Sequence, residues 1–356
     1  MPGRCRDNGV TRGCRSEPLR DSVGRSAHNG ILTTPQPQPP ERNGDTSRDG
    51  VFKRLAPPGY DAKAARSTLR RYPRTLGGTL TSAAGAPISI TGDDFDKLAA
   101  SKLGGVWLGH ATVLVRVGGM WVLTDPVFSE RIGVKLGPLT FGVPRLLPAV
   151  DPARLPRADL ILISHAHFDH LDRPSLRALA DKRTRVLTAA HTKRLIPRGF
   201  GTVDELAWDK EIDVGDLRVR SVRPAHWGAR AMWDRFRGFN SYLIEHHDTR
   251  TLYAGDTANC DHFATVGPVD LSIFGIGAYD PWEHAHATPE QVWRMHLSAG
   301  GRFLMPIHHR TFELSDEPLN EPMERLLNAA GEEHHRVIGR ELGEIWVRQE
   351  GEVPLP

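Results

Sequence analysis

From Val106 onward the chain alternates between short runs of β-branched and aliphatic residues and breaks of glycine, proline and aspartate. The runs Val113–Val117 and Met120–Thr124 stand on either side of Gly118-Gly119. Two apolar runs joined by two glycines are typical of a β-hairpin, because glycine accepts the positive φ angles of a tight turn. We therefore expect a strand-rich domain in which this hairpin is an early element.

Two segments predict helices. Leu160–Ser164 is an apolar strand, and Asp172 is a cap for a helix that should run from Pro174 to about Lys182. Further along, residues 288–291 have the pattern of a capping box with proline in the first turn, and Gly300-Gly301 closes that helix. Strands and helices mixed along the chain in this way predict an α/β domain.

Apolar runs in the second half of the chain predict more strands: Leu217–Val222, Ser241–Glu245, Thr251–Ala254, Leu271–Gly275 and Phe303–Ile307. A histidine or aspartate recurs just after such runs, at Asp125, His165, Asp256 and His308. Strand ends converge in layered α/β folds, where ligand and catalytic sites are built. We expect these side chains to lie near one site.

Composition narrows the class of protein only a little. The chain has 356 residues, of which 39% are hydrophobic and 25% charged, and this suits one large α/β domain or two small ones. A net charge of +3 gives no reason to expect nucleic-acid or membrane binding. The three cysteines form no CxxC pair, which argues against a thiolate zinc site and a disulfide framework. The simplest location is the cytoplasm, since no apolar run approaches the roughly 20 residues that span a bilayer.

Residues 1–50 differ from the rest of the chain. They are rich in arginine, glycine, serine, aspartate and proline, and they lack the apolar stretch of a secretory signal. Too few large apolar groups are present to offset the entropy of ordering, so we predict a disordered tail followed by a single domain over 51–350. An arm that folds on a partner is the alternative, which the mixed charges disfavour.

Residues 165–170, His-Ala-His-Phe-Asp-His, place four potential metal ligands within six positions directly after a predicted strand. Imidazole and carboxylate suit zinc, iron or manganese, and a carboxylate beside a metal can orient a nucleophilic water. His165 and His167 can reach one ion, whereas Asp169 and His170 fall on the far side of the turn. Two neighbouring ions are therefore the natural interpretation, and a histidine-rich loop that binds nothing is the alternative.

A site for two ions needs further histidines and a carboxylate that can bridge them. His226, Asp256 and His308 follow predicted strands and meet that demand. A lone histidine is usually structural or exposed, so each of these residues alone is weak evidence. Together with the six-residue cluster they predict a metal centre.

Further segments resemble the metallo-β-lactamase-fold hydrolases, and among them the branch of N-acyl-phosphatidylethanolamine-hydrolysing phospholipase D and its bacterial relatives. Beside the HxHxDH motif, the likeness lies in Trp107–Thr112, Leu123–Ser129, Ile163–His165, Ala254–Thr257 and Ile276–Tyr279. It runs from about residue 55 to residue 348. The resemblance implies an αββα sandwich, with two mixed sheets face to face, helices outside and a metal site at one edge.

The resemblance also implies a role for each ligand. His165, His167 and His226 would hold the first ion, Asp169, His170 and His308 the second, and Asp256 would bridge both. His309 is the alternative to His308 as a ligand of the second ion. The family pattern puts this ligand directly after the strand, which selects His308. The cofactors would be two divalent metal ions, with zinc first and manganese or iron as alternatives.

Four residues receive roles around the ions. Asp169 would orient the nucleophile as well as hold an ion, and Asp125 would fix the tautomer of a ligand histidine, in preference to a plain turn role. His110 would order the same region, with a purely structural role equally favoured. His286 would bind a phosphate oxygen or protonate a leaving group, with a simple loop histidine as the alternative.

Two segments bear on the walls of the pocket, and the first is a departure from the family. Between Tyr279 and His286 the chain is about three residues shorter than the phospholipase and carries Trp282–Ala285 in place of large apolar residues, which puts a long-chain lipid substrate in doubt. The aromatic and basic stretch Trp227–Arg237 could be a substrate lid or a membrane-touching flap. We favour packing on the body with its arginines in water.

The expected activity is hydrolysis, in which a hydroxide shared by the ions attacks phosphorus or a carbonyl carbon. A phosphodiester of a phospholipid or glycerophospho compound is the first expectation, and a lactone or other carboxylic ester, as in the similar ascorbate-phosphate lactonases, is the second. A nucleic-acid phosphodiesterase, a di-iron oxidoreductase and a non-catalytic binding module rank lower. As partners we expect a small-molecule or lipid substrate, no nucleic acid and at most peripheral membrane contact, with a homo-oligomer left open.

Overall fold

The computed structural model describes residues 63, 66, 67, 90–136, 139–231, 234–247 and 249–349. The predicted tail, residues 1–50, lies outside the described residues, as do the first and last residues of the predicted domain. The boundary between them therefore stays a prediction.

The strands of the first half are β1 (Leu103–Trp107), β2 (Val113–Val117), β3 (Met120–Thr124), β4 (Arg131–Leu136), β5 (Leu139–Pro144), β6 (Leu160–Ile163), β7 (Arg185–Ala189) and β8 (Thr202–Leu206). Those of the second half are β9 (Glu211–Val214), β10 (Leu217–Val222), β11 (Ser241–His246), β12 (Thr249–Tyr253), β13 (Val269–Gly275), β14 (Gly301–Ile307) and β15 (Ile345–Val347). The helices are α1 (Gly92–Ala99), α2 (Arg173–Ala178), α3 (Pro289–Ser298) and α4 (Glu321–Ala330).

Two mixed sheets and one hairpin contain these strands. The first sheet has the order β15-β1-β2-β3-β6-β7-β8, and the second has the order β14-β13-β12-β11-β10-β9. Parallel pairs join β3, β6, β7 and β8 in the first sheet and β12, β13 and β14 in the second. Strands β4 and β5 pair only with each other.

Alternation along the strands explains how the layers pack. Val115 of β2 and Ile244 of β11 belong to one core between the two sheets. Leu114, the neighbour of Val115, instead packs on the outer face with Leu98 of α1 and Leu176 of α2. Because successive strand residues point to opposite faces, each sheet buries one face on its partner and the other under helices.

The second sheet repeats this arrangement on its other side. Leu243 of β11 packs on the outer face with Val292 of α3 and Leu326 of α4. Helices therefore cover both outer faces, and the αββα sandwich predicted from the resemblance is confirmed.

Local signals in the sequence account for several elements. Val117 pairs with Met120 across Gly118 and Gly119, whose φ angles are 54° and 81°, so the predicted hairpin is confirmed. Thr288 forms the predicted capping box, in which its side chain accepts from the Gln291 amide.

Helix α2 is shorter than predicted. Asp172 caps it as expected, because its carboxylate accepts from the Ser175 amide. The helix ends at Ala178 rather than near Lys182, since the Asp181 side chain accepts from the Arg183 amide and starts a turn that leads into β7.

The β4–β5 hairpin stands apart from the two sheets and keeps apolar side chains in solvent. Val134 is 57% exposed and Phe141 is 41% exposed. No helix within the described ranges is long and apolar enough to cross a bilayer.

Candidate metal centre

The polar side chains predicted to form the site come from the ends of strands in both sheets. In the first sheet, Asp125 follows β3 directly, and His165 follows β6 after one residue. In the second sheet, His308 follows β14 directly and Asp256 lies three residues beyond β12. The side chains of these four residues lie close together. The strand ends of the two sheets therefore meet at one edge of the sandwich.

The backbone at this edge is held in unusual conformations. His110, Asp125 and His308 have φ angles of 50°, 29° and 61°, a region that residues with a Cβ seldom occupy. Hydrogen bonds hold them there: the His308 amide donates to the His110 carbonyl at 2.9 Å, and the His110 amide donates to Thr311 Oγ1 at 2.7 Å. Strain that is held in place in this way is common at functional sites.

A first donor set consists of His165, His167, His226 and Asp256, whose ligand atoms all lie within 4.8 Å of one another. His165 Nε2 is 2.7 Å from His167 Nδ1. Asp256 Oδ2 is 3.8 Å from His165 Nε2 and 3.7 Å from His226 Nε2. These are the three histidines predicted for the first ion, together with the predicted bridging carboxylate.

A second donor set consists of His110, Asp169, His170 and His308. Asp169 Oδ2 is 3.5 Å from His170 Nε2 and 3.4 Å from His308 Nε2. Asp256 also reaches this set, with Oδ2 3.0 Å from His170 Nε2 and Oδ1 3.4 Å from His308 Nε2. Asp256 therefore lies between the two sets, where a bridging ligand would have to be.

In three of these histidines, the ring nitrogen remote from the site has a hydrogen-bond partner, and the other ring nitrogen faces the site. Asp125 Oδ2 lies 2.7 Å from His170 Nδ1, and the Ala285 carbonyl lies 3.0 Å from His226 Nδ1. Ser164 Oγ lies 2.8 Å from His165 Nδ1. Such partners orient a ligand histidine and fix its tautomer, which is the geometry expected for Asp125. His110, given a supporting role from the sequence, puts Nε2 3.0 Å from Asp169 Oδ2.

The charges in the site favour metal binding at neutral pH. Burial lowers the pKa of His167 to about 3, of His226 to about 4, and of His165 well below its ordinary value. These rings are therefore neutral at pH 7, which is the form that binds metal. Burial would raise the pKa of Asp256, but His170 and His308 outweigh it and hold the carboxyl pKa well below its usual range.

The opposite shift occurs at His170. Burial would lower its pKa, but the negative charges of Asp256 and Asp169 raise the pKa of His170 well above its ordinary value. Burial would also raise the pKa of Asp169, and here the His170 charge prevails and lowers it. The two carboxylates thus form a negative centre that attracts positive charge.

Two buried donor atoms in the donor sets have no hydrogen-bond partner within the described part of the chain. They are Nε2 of His167 and Nε2 of His226. Buried polar atoms are seldom left unpaired, because losing their water without a new partner costs about 1–3 kcal/mol. Nitrogen and carboxylate oxygen donors that converge in this way fit a zinc, manganese or iron ion.

His286 and His309 were uncertain from the sequence. His286 lies beside the donor sets, with Nδ1 3.9 Å from Asp256 Oδ2, and burial lowers its pKa well below the ordinary value. His309 stacks on Trp107, with ring centroids 4.5 Å apart, and belongs to no donor set among the described residues. The structure therefore brings His308, and not His309, to the site.

Two cavities open beside the donor sets. The smaller, about 290 Å³, has a mixed lining in which Asp256, His284, His286 and His308 stand beside apolar residues such as Trp282. The larger, about 730 Å³, is mostly apolar and is lined by the β4–β5 hairpin and by residues of the Trp227–Arg237 stretch. Both cavities share the lining residues His167, Asp169, Trp227 and Leu314. The site therefore has an apolar side at the larger cavity and a mixed side at the smaller one.

The prediction that the arginines of Trp227–Arg237 lie in water is wrong for Arg230. Its guanidinium lies over the Phe168 ring, 3.7 Å from the centroid, and donates to the Leu171 carbonyl at 2.6 Å. Burial lowers its pKa to about 10, so it keeps its charge at neutral pH. Backbone carbonyls of the turn that carries His167, Asp169 and His170, the ligand turn, take the place of water around this cation. Met232 and Trp233 lie outside the described residues.

Sequence reasoning missed three supporting residues of the site: Ser164, Tyr253 and Arg230. The Ser164 amide donates to Asp125 at 2.7 Å, and the Tyr253 hydroxyl donates to the same carboxylate. Ser164 and Tyr253 are polar residues at the ends of apolar strands that lead into ligands, and that position was a usable signal. Arg230, which contacts residues about sixty positions away, gave no comparable signal.

Comparisons with known proteins agree with this site and fold. The β-lactamase superfamily domain matches residues 120–309. An uncharacterized protein of Mycobacterium tuberculosis is 34% identical over 270 residues, which make up 70% of this chain and 70% of that protein. The N-acyl-phosphatidylethanolamine-hydrolyzing phospholipase D 1 of Caenorhabditis elegans is 29% identical over 286 residues, 72% of this chain and 79% of that protein.

A solved structure gives the same result for the fold. Igni18, a metallo hydrolase from Ignicoccus hospitalis, superposes with a TM-score of 0.52 at 18% identity, and the match covers 68% of this chain and 97% of that one. The superfamily match runs from the start of β3 to His309 and includes every residue of the two donor sets except His110. The chain belongs to the β-lactamase superfamily and is a metal-dependent hydrolase with the metallo-β-lactamase fold.

Proposed function

We propose that the protein is a phosphodiesterase that uses two divalent metal ions and acts on a phospholipid or a related glycerophospho amphiphile. The observation that carries this proposal is the apolar cavity of about 730 Å³ that joins the donor cluster at His167 and Asp169. The phosphodiester group of such a substrate would lie at the donor cluster, and its apolar tail would lie in this cavity. The likeness to a phospholipase D of Caenorhabditis elegans supports the same substrate class.

The chain's own residues divide the work at the donor cluster. His165, His167 and His226 would hold one ion, and Asp169, His170 and His308 the other, with Asp256 between them. When bound, two such cations supply Lewis acidity and a water of lowered pKa. Hydrogen bonds to the remote ring nitrogens keep the donors aimed at the ions, so little reorganisation is needed during the reaction.

Two residues are suited to move or hold a proton. Asp169 faces both the donor cluster and the two cavities, so its carboxylate can accept a hydrogen bond from the attacking water. His286 lines the smaller cavity and is within reach of Asp256. Because burial lowers its pKa and leaves the ring neutral at pH 7, its imidazole can donate a hydrogen bond to a phosphoryl oxygen, or accept a proton from the attacking water and pass it to the leaving oxygen.

The segment that put a lipid substrate in doubt does not line the apolar cavity. Trp282, His284 and Ala285 line the smaller cavity. The walls of the larger one include Ile132, Val134 and Val143 of the β4–β5 hairpin, together with Leu314. Loss of large apolar residues at 282–285 is therefore compatible with an apolar substrate group that lies on the other side of the ions.

The rim of the apolar cavity supports peripheral contact with a lipid surface. Val134 lines the cavity, and Phe141 pairs with it across the hairpin. Phe236, beside the lining residue Arg235, is 64% exposed. Exposed apolar residues next to arginines are typical of surfaces that meet phospholipid headgroups. An amphiphile could then enter the cavity from a micelle or bilayer.

A lactonase is the second candidate. The smaller cavity, about 290 Å³ with His284 and His286 in its lining, suits a compact polar lactone that makes no use of the apolar side. The same donor sets would serve carbonyl attack as well as attack on phosphorus.

One substrate panel distinguishes the two. Metal-loaded protein would be assayed on bis-p-nitrophenyl phosphate, on N-acyl phosphatidylethanolamine in mixed micelles, on glycerophosphoethanolamine, which is its headgroup without any acyl chain, and on a set of lactones. We expect turnover of phosphodiesters, with a higher kcat/KM for the micellar lipid than for its headgroup. Turnover of lactones with inert phosphodiesters would overturn the proposal and favour the second candidate.

A further inference from the structure

We propose that Arg230 is a positioning residue of the metal centre, which holds the turn carrying His167, Asp169 and His170 in the conformation that aims them at the ions. This inference rests on the metal centre in the proposed function and not on the identity of the substrate. The Trp227–Arg237 stretch is then a support for the donor cluster as well as a wall of the apolar cavity.

One nitrogen of Arg230 gathers three carbonyl groups of the ligand turn. Nη1 donates to the carbonyl oxygens of Ala166 at 3.2 Å, His167 at 3.3 Å and Leu171 at 2.6 Å. The first two carbonyls precede Asp169 and the third follows His170. The cation therefore ties both ends of the turn that carries Asp169 and His170 of the second donor set.

The turn has few other backbone bonds to hold it. The His170 and Leu171 amides both donate to the His167 carbonyl, at 3.3 and 2.9 Å. Both bonds lie within the turn and converge on one of the oxygens that Arg230 also binds. Arg230 is thus a tie between this turn and a segment about sixty residues further along the chain.

Stacking adds a directional contact that only a planar cation provides. The guanidinium lies 3.7 Å from the centroid of Phe168, the residue between His167 and Asp169. A lysine could donate to the same carbonyls, but its ammonium is compact and cannot lie flat on the ring. We therefore expect lysine to replace Arg230 only in part.

Arg230 is itself held from its own side. Asp234 Oδ1 accepts from the amides of Arg230 and Ala231, each at 2.7 Å. Asp234 Oδ2 in turn accepts from Arg237 Nε at 2.6 Å. The support is therefore built from the stretch's own charged residues, which gives these residues a role that their sequence pattern alone did not indicate.

A control is available in Arg336, which makes the same kind of contacts away from the donor sets. It donates to the carbonyls of Arg302 and Gly301 and lies over the Trp293 ring. Arg336→Met removes a half-buried arginine of the same type, with the same loss of carbonyl and aromatic contacts. A general loss of stability would appear in both variants, whereas a positioning role appears only at Arg230.

The test measures metal affinity, which does not depend on any substrate. Full-length wild type and the variants Arg230→Met, Arg230→Lys and Arg336→Met would be stripped with a chelator and titrated with Zn²⁺ against a chromogenic competitor. Partners that orient metal ligands are typically worth 10–100-fold in affinity. We expect Arg230→Met to bind zinc about 10–100-fold more weakly, Arg230→Lys to lie between it and wild type, and Arg336→Met to match wild type.

Wild-type zinc affinity in folded Arg230→Met would overturn the proposal. If near-ultraviolet circular dichroism shows that Arg230→Met does not fold, Arg230→Gln, which keeps one amide donor, decides instead: a loss of about tenfold supports the proposal and wild-type affinity overturns it. An equal loss in Arg336→Met would also overturn it. Inert phosphodiesters together with these affinity changes would refute only the proposed substrate, whereas a wild type with no zinc affinity would contradict the metal centre and this inference together.

Discussion

The two cavities that meet at His167 and Asp169 are built by different parts of the chain. The smaller cavity lies where strands of both sheets end, and donors beside it are held by hydrogen bonds to buried groups such as Asp125. The apolar cavity is walled by the β4–β5 hairpin, which pairs with neither sheet, and by residues beyond His226. Core elements therefore position the chemistry, and peripheral elements shape the pocket.

Substitutions at the donors and substitutions in the β4–β5 hairpin should therefore have different effects on the reaction. A donor at a strand end is tied to the sheet ladders, so replacing it should affect the metal and the reaction with every substrate. An exposed residue of the β4–β5 hairpin belongs neither to the two large sheets nor to the donor sets. Replacing it should alter the choice of substrate and leave the reaction itself intact.

The largest effect is expected at Asp256, which lies between both donor sets. Asp256→Asn removes the negative charge that faces His170 and His308, so bound metal should fall and kcat/KM should drop about 1000-fold or more, equivalent to about 4 kcal/mol. Metal content by plasma mass spectrometry and activity would be measured on the same sample. Asp213→Asn, at a side chain that is 76% exposed, is the control. Full activity with normal metal content would contradict the role given to Asp256.

His286 should have the next largest effect, and one that depends on the leaving group. If its imidazole protonates the leaving oxygen, His286→Gln should lower kcat about 100-fold for an alkyl phosphodiester. The p-nitrophenolate of bis-p-nitrophenyl phosphate leaves without a proton, so that substrate should be much less affected. An equal loss on both substrates would assign His286 to phosphate binding rather than proton transfer.

Asp125, which follows a strand of the first sheet, tests how much such supporting groups contribute to metal binding. Its carboxylate accepts from the Ser164 amide and the Tyr253 hydroxyl and lies beside His170 Nδ1. Asp125→Asn should weaken metal binding about 10–100-fold because the His170 tautomer is no longer fixed. Chelator competition measures this, and a folded variant with unchanged affinity would limit Asp125 to a structural role.

The smallest effect is expected on the apolar side. Val134→Asp puts a charge on the wall of the larger cavity and removes an apolar contact worth about 1 kcal/mol, so kcat/KM for a long-chain lipid should fall about fivefold. Activity on bis-p-nitrophenyl phosphate should not change. Leu297→Asp, at another exposed apolar residue outside the cavity lining, is the control. Equal losses on both substrates would show that the cavity has no part in selecting substrate.

Local patterns predicted the elements whose own residues carry their signals. The Gly118-Gly119 hairpin and the capped helix at Thr288 depend on neighbours in sequence, and both are confirmed. The residues of the donor sets other than His110 were predicted as ligands because they follow apolar runs and because the motifs resemble a known family, whereas His110 was given a supporting role. The structure brings these residues together, and their roles as ligands remain predictions.

Four of the strands that were not predicted lack a local signal. Strand β1, Leu103–Trp107, contains two adjacent glycines, and β15 has only three residues, so both depend on pairing with strands far along the chain. The β4–β5 hairpin is interrupted by glycines and faces solvent, which hides its alternation. Arg230 was assigned to water because its sequence neighbours are polar and aromatic, whereas its partners are carbonyls near residue 170.

Anomalous diffraction at the zinc edge, from crystals of zinc-loaded protein, tests the central claim most directly. We predict two peaks about 3.5–4 Å apart, one among His165, His167 and His226 and one among Asp169, His170 and His308, with Asp256 between them. Zinc bound elsewhere, or no peak within reach of these side chains, would contradict the account.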